Sequence, residues 1–186
     1  NEEGRYKEAG NIKNAVPFLH QDPDSDEILG QCEESGRDQG HATLCVSLMG
    51  AFCQMAYSIG EDLFAFDNYR AVAMAEYVGK YNLIKDEAFN KGTLVGDDFV
   101  YDSNSFPYTS YSNPSYTNTT ISTDQRGTKR PAWELFYGYC KAKGISSIYS
   151  GKWAEQMRPD GGGGNYGPNS GGFDQLGFGT LMYYRE

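Results

Sequence analysis

The 186-residue sequence predicts a mainly α-helical protein, part of an incomplete assembly of helix hairpins with long loops and a Gly-rich C-terminal tail. Three observations predict it. Long segments repeat apolar residues at three- and four-residue spacing, which puts them on one helical face. A polar stretch rich in Asp, Asn, Ser, Thr and Tyr separates the helical segments without a period of its own. The apolar stripes outnumber the faces that three or four helices offer one another, so further helices, from a missing N-terminal portion or another chain, are expected to cover them. The length is enough for one domain with its own core.

Taken in order, residues 1–40 are polar with short apolar stretches. Residues 41–58 read as the first long helix. Cys45, Met49, Phe52 and Ala56 form a stripe that Leu44, Leu48 and Met55 widen, a face broad enough to predict burial on most sides. Gly60 is the expected stop. A second helix is expected over 67–81, with Asp67 as N-cap and Ala71, Met74, Ala75 and Val78 facing inward, giving an αα-hairpin. Residues 85–130 form a long connection whose Tyr and Phe content predicts an ordered loop packed over the body. A third helix is expected from Pro131 to Lys143, with proline in the first turn and Gly144 past the end. A short helix over 150–157 follows, and after the Gly-rich tail a segment at 180–184 is expected to dock on the body.

Composition narrows the function. The net charge of −9, from 25 acids against 16 bases, argues against nucleic-acid partners, which need basic patches. An anionic substrate then requires a local cluster of cations. No apolar run approaches the ~20 residues that span a bilayer, so no membrane partner is expected. Aromatics make up 15% of the chain, with 15 Tyr, a content suited to sugar or partner surfaces. The chain opens at Asn1 without a leader-like segment and reads as processed or trimmed. Asn118-Thr119-Thr120 is an N-glycosylation sequon, which fits secretion only weakly. The four cysteines match no zinc or redox spacing. They allow one disulfide involving Cys32, with Cys45 and Cys53 read as packing on one helix. Mean hydropathy is −0.63.

Two constellations stand out. Glu34-Ser35-Gly36-Arg37-Asp38-Gln39-Gly40-His41 abuts the most apolar helix. The S-x-x-D spacing of Ser35 and Asp38 fits a capping box at a helix start, but that leaves Arg37, Gln39 and His41 unexplained. Arg126-Gly127-Thr128-Lys129-Arg130, leading into Pro131–Tyr137, concentrates three cations in five residues of an acidic chain. Arg130 and Tyr137 lie seven apart, two turns on one side of a helix. The plainer expectation there is an Arg130–Glu134 pair with Tyr137 in the core. Only two His are present, at 20 and 41, so no His-rich metal site is expected, and no cofactor motif is found.

Together, ESGRDQGH at 34–41, RPAWELFY at 130–137 and FDQLGFGTL at 173–181 resemble the alginate-lyase-like polysaccharide lyases with an α/α toroid fold, and 67–83 fits as well. The resemblance spans residues 15–186 and matches the C-terminal half of such enzymes. It implies that residues 1–186 are the C-terminal portion of one toroid catalytic domain. It also implies β-elimination on a uronic-acid polysaccharide of alginate or glucuronan type, a secreted or periplasmic location, and no cofactor. Such chemistry must neutralise a carboxylate, remove the proton beside it and protonate the leaving oxygen. The resemblance assigns base and acid to Tyr137, whose phenol (reference pKa ~10) needs a cation beside it. Arg130 and His41 complete the catalytic set. Gln39, Arg37, Glu34, Arg126, Lys129, Tyr81 and Asn82 are placed around the substrate, with Gln39 donating to the uronate and Arg37 and Glu34 behind. Tyr77 and Tyr81 are alternatives to Tyr137 as base. Some lyases of this kind carry Asn beside the catalytic His; Gly40 stands there here, leaving neutralisation to Gln39 or to a residue of the missing half.

Two other readings remain open at this point. One is a glycoside hydrolase of the same architecture using paired acids such as Glu34 and Asp38. The other is a non-catalytic carbohydrate-binding fragment.

Overall fold

A computed structural model describes residues 12–112, 117–163, 177 and 179–184. The described protein is mainly helical. A short helix α1 (Ile12–Ala15) leads into an antiparallel hairpin of β1 (Phe18–Gln21) and β2 (Ile28–Gln31), with Phe18 opposite Gln31 and Gln21 opposite Ile28. The long helices are α2 (Gln39–Ser58), α3 (Phe66–Asn82), α4 (Trp133–Lys143) and α5 (Ile148–Met157). A last short helix, α6, covers Gly179–Tyr183. A second two-residue pairing, β3 (Tyr111–Ser112) with β4 (Thr117–Asn118), lies in the long connection and holds the sequon residue Asn118. Of the FDQLGFGTL segment, 173–176 and Phe178 lie outside the described residues.

Helix α3 is the hub. The expected inner residues Ala71, Met74, Ala75 and Val78 are fully buried, and so is nearly every other residue from Ala71 to Asn82. The β1–β2 hairpin lies on one side of it. Gly30 permits that approach, since a Cβ there would sit 2.9 Å from the Met74 backbone nitrogen. Helices α4 and α5 lie on another side, where Trp133 and Trp153 stack at 5.1 Å and the Trp153 indole donates to Gly79 O at 2.9 Å.

Two charged side chains on α3 are buried, and each is met by partners. Glu76 accepts the Tyr149 and Ser150 backbone N–H groups at 2.8 and 2.9 Å, capping the first turn of α5. Burial pushes its carboxyl up to about 7, against the pull of those donors. Lys80 donates to Asp22 and, at 2.6 Å, to Asp24, while the Tyr149 hydroxyl donates to Asp22. Burial alone would raise the Asp22 carboxyl; Lys80 and Tyr149 outweigh it and hold it below the usual carboxylate range.

Several elements differ from expectation. The hairpin was not predicted, because four-residue strands leave too short a period to read. Asp67, Asn68 and Tyr69 take left-handed φ of 49°, 57° and 60°, so right-handed helix begins at Arg70 and Asp67 is not its N-cap. Asp67 accepts from Arg70 instead, at 3.0 Å. Helix α4 starts at Trp133, two residues past Pro131, and ends as expected on Gly144 at φ 67°. Helix α5 starts at Ile148, ahead of the expected 150. The long connection is ordered over its described part. Phe99 and Phe106 are buried, and Phe106 packs edge-on against Tyr77 and Tyr81.

The largest correction concerns α2. Burial on most sides was expected, yet Leu48, Phe52, Met55 and Ile59 are 52%, 55%, 64% and 82% exposed. They follow one another at helical spacing along one face. No helix among the described residues is long and apolar enough to cross a membrane.

Candidate active site

The start of α2 is built as a strap. Glu33–Gly36 forms a 3-10 turn, and Asp38 then extends (φ −165°, ψ 160°) to become the N-cap. One Asp38 oxygen accepts the His41 backbone N–H at 2.8 Å. The other lies 2.6 Å from His41 Nδ1. Capping therefore falls to Asp38 rather than Ser35, and the same carboxylate orients the imidazole, directing Nε2 away from it. The His41 side chain remains 37% exposed. Arg37 lies ahead of the cap, so it does not oppose the helix dipole from within the first turn. Its guanidinium bridges Glu34 at 3.3 Å and Asp38 at 3.6 Å.

Gln39 and Asn82 knit this strap to the rest of the chain. Gln39 is 1% exposed. Its amide nitrogen donates to Ser35 O and Ser122 O, both at 3.0 Å, and its oxygen accepts from Asn82 Nδ2 at 2.9 Å. The Asn82 oxygen accepts the Gly127 N–H at 2.9 Å. Both Gln39 amide hydrogens are committed, so in this arrangement Gln39 positions the strap, whereas the sequence reading gave it the uronate carboxylate. The fully buried Asn82 joins α3 to the 122–127 turn in the same way.

A groove of about 1370 Å³ is walled in part by that turn, with Arg126, Lys129 and Lys91 in its lining. Arg126 is sandwiched between the Tyr81 and Phe99 rings, 4.1 Å from each centroid. It donates to Tyr81 O at 2.8 Å and Tyr101 O at 2.7 Å. Lys129 donates to Phe89 O at 2.6 Å and sits 3.7 Å over the Phe89 ring. Burial lowers the affinity of both for their protons. Lys91 pairs with Asp98. Gln125, at φ 54°, belongs to the same lining. Its side chain lies so close to Gly40 that a Cβ there would meet Oε1 at 2.2 Å. Gln125 thus connects the groove wall to the residue beside His41.

Helix α4 reaches two different neighbours. At its entry, fully buried Arg130 donates to Gly40 O at 3.4 Å. Two turns on, Tyr137 is half-buried with its ring against Gly151, where a Cβ would lie 3.1 Å away. The Arg158 guanidinium lies 5.4 Å from the Tyr137 ring centroid. It donates to Glu134 at 3.2 Å. The structure therefore brings Arg130 to the His41 strap and gives Tyr137 a different cation, Arg158. His41 and Tyr137 share none of these partners, and neither is in the lining of the large groove. The Arg130–Glu134 pair considered from sequence gives way to Arg158–Glu134 at 3.2 Å as the partnership of that carboxylate.

The two alternative tyrosines are fully buried. The Tyr77 hydroxyl donates to Pro107 O at 2.8 Å, and burial pushes its phenol well up. Burial raises that of Tyr81 too, partly offset by Arg126. Of the three, Tyr137 alone keeps solvent contact. Among the described residues no cluster of His, Cys, Asp or Glu is arranged to hold a metal. Sequence reasoning missed Arg158, Gln125 and the Asp38–His41 pairing. Only the last left a signal, since an Asp three residues before a His at a helix start can both cap and pair. No protein-family model, curated protein or solved structure matches this chain.

Proposed function

We propose that the chain is part of an α/α-toroid polysaccharide lyase that cleaves a uronic-acid polysaccharide by β-elimination. The observation that carries this reading is the partly exposed Tyr137 side chain, with the Arg158 guanidinium 5.4 Å from its ring centroid. Removing the proton beside a uronate carboxylate and protonating the departing oxygen calls for a group that can act as base and then as acid, which a phenol can do. Tyr137 takes that proton and returns it to the departing 4-linked oxygen. His41, oriented by Asp38, serves the carboxylate, whose charge must be countered for the carbanion to form, and the buried Arg130 holds the strap that carries it through Gly40 O.

The cation-lined groove also supports this reading. In a chain of net charge −9, Arg126, Lys129 and Lys91 line one open depression. A local field of that sign draws a polyanion against the global charge. The bare stripe of α2 supports the toroid. Further helices of the same protein cover Leu48, Phe52, Met55 and Ile59.

The test is incubation with alginate, glucuronan and neutral glycans, following ultraviolet absorbance and product mass. Unsaturated uronate products are expected, and Tyr137→Phe is expected to lower kcat by roughly 10²–10⁴-fold with the fold intact by circular dichroism. Saturated products lost on Glu34→Gln and retained in Tyr137→Phe would establish a hydrolase instead. No turnover on any uronate polymer, with the covering helices supplied, ends the lyase reading.

A further inference from the structure

Gln125 is an exposed residue held at φ 54°, a left-handed conformation in which a side chain is disfavoured because its Cβ crowds the following carbonyl. Its surroundings keep it there. The Gln125 carbonyl accepts the Thr128 backbone N–H at 3.2 Å and the Thr128 hydroxyl at 2.7 Å. The residues before it are tied to the strap: the Ser122 N–H donates to Ser35 O, and the Gln39 N–H donates to Asp124 O, each at 2.9 Å. The Gln125 side chain is thereby laid over Gly40. A Cβ built on Gly40 would meet Gln125 Oε1 at 2.2 Å and Asp38 Oδ1 at 3.2 Å, so the carboxamide and the Asp38 carboxylate converge over one backbone position. That carboxylate both caps α2 and holds His41 Nδ1. The charged groups facing this pair are Arg37, 3.6 Å from Asp38 Oδ2, Glu34 behind it, and Arg130 from the entry to α4, which reaches Gly40 O. Gln125 crowds the same place without adding charge.

We propose that Gln125 is a positioning residue for His41, its side chain packing Gly40 and the Asp38 carboxylate into the arrangement that orients the imidazole. Gln125 also lines the large groove, so the same side chain meets a ligand lying there and the strap behind it. The catalytic consequence rests on the lyase reading; the positioning of the imidazole does not. Two substitutions separate packing from charge. Gln125→Ala empties the space over Gly40 and leaves the charges as they are. Gln125→Glu fills it but sets a second carboxylate beside Asp38, which favours the protonated imidazole.

The test follows the two imidazoles, His20 and His41, by NMR through a pH titration of the whole chain. His20, stacked on Tyr77 in the hairpin, is the internal control. Gln125→Glu is expected to raise the His41 midpoint by roughly 0.5 pH unit or more and to leave His20 unmoved. Gln125→Ala is expected to shift the His41 signals at constant pH, and the neutral, similarly sized Gln125→Met to restore them. On a uronate polymer, Gln125→Ala is expected to lower kcat by roughly 3–10-fold with KM within about two-fold. His41 signals and midpoint unchanged in both Gln125→Ala and Gln125→Glu, with circular dichroism intact, would overturn the proposal. So would a change in KM alone, which would make Gln125 only a part of the groove wall. A lack of turnover in the unsubstituted protein counts against the lyase reading, and the NMR measurements then decide the positioning by themselves.

Discussion

Helices α2 and α3 stand side by side and invert the usual link between composition and burial. Helix α2 has no charged residue from Ala42 to Ser58, yet Leu48, Phe52, Met55 and Ile59 face outward. Helix α3 carries Glu76 and Lys80, and both are 1% exposed. The difference is one of position. The β-hairpin, α4, α5 and the long connection surround α3 and bring it Asp22, Asp24, Tyr149 and the free N–H groups of α5. Among the described residues, helix α2 is packed along one face. Apolar sequence created the demand for a partner on α2, whereas tertiary placement answered a polar demand on α3.

The sharpest way to break this comparison is at Lys80. Lys80→Ala leaves Asp22 buried without its cation, and a loss of about 3–5 kcal/mol is expected in denaturant unfolding. A loss below about 1 kcal/mol would show that the cluster is no more than tolerated. The next effect is a pH dependence at Glu76. Its folded-state pKa is raised from 4.5 to about 7, so the folded protein holds that proton more tightly than the unfolded chain. The contribution is fully present below about pH 4.5 and is lost as pH rises through 7. At about 1.4 kcal/mol per pKa unit, Glu76 costs the protein on the order of 3 kcal/mol across that window. Glu76→Gln should flatten this part of the stability profile, measured by urea midpoints from pH 4 to 8; an unchanged slope would refute it. The smallest effect belongs to α2. Phe52→Ser or Met55→Ser should shift the stability of this chain by about 0.5 kcal/mol or less while reducing self-association, measured by light scattering. A loss of 2 kcal/mol or more would mean that the stripe is already covered within this chain.

The parts legible in sequence share a cause. Helices 41–58 and 131–143 were readable because apolar spacing and a terminal glycine are properties of neighbours along the chain. The inward stripe of α3 was readable for the same reason. Its first turn was not, because three consecutive left-handed residues depend on the chain's path and not on Asp67, Asn68 or Tyr69 alone. At the site, the cations at 126–130 stood out against an acidic chain. Their partners did not, since Tyr81 O, Tyr101 O and Phe89 O come from distant segments.

By itself the sequence determined the helical class, the positions of the long helices, the capping cluster ahead of α2 and the presence of a cation-rich turn. All follow from interactions a few residues apart. Tertiary structure alone decided that Gln39 and Asn82 are buried ties, that Tyr137 meets Arg158 while Arg130 meets Gly40, and which helix buries its charges. Each of these joins residues remote in sequence, and a contact made across the fold leaves no period or spacing in the chain that makes it.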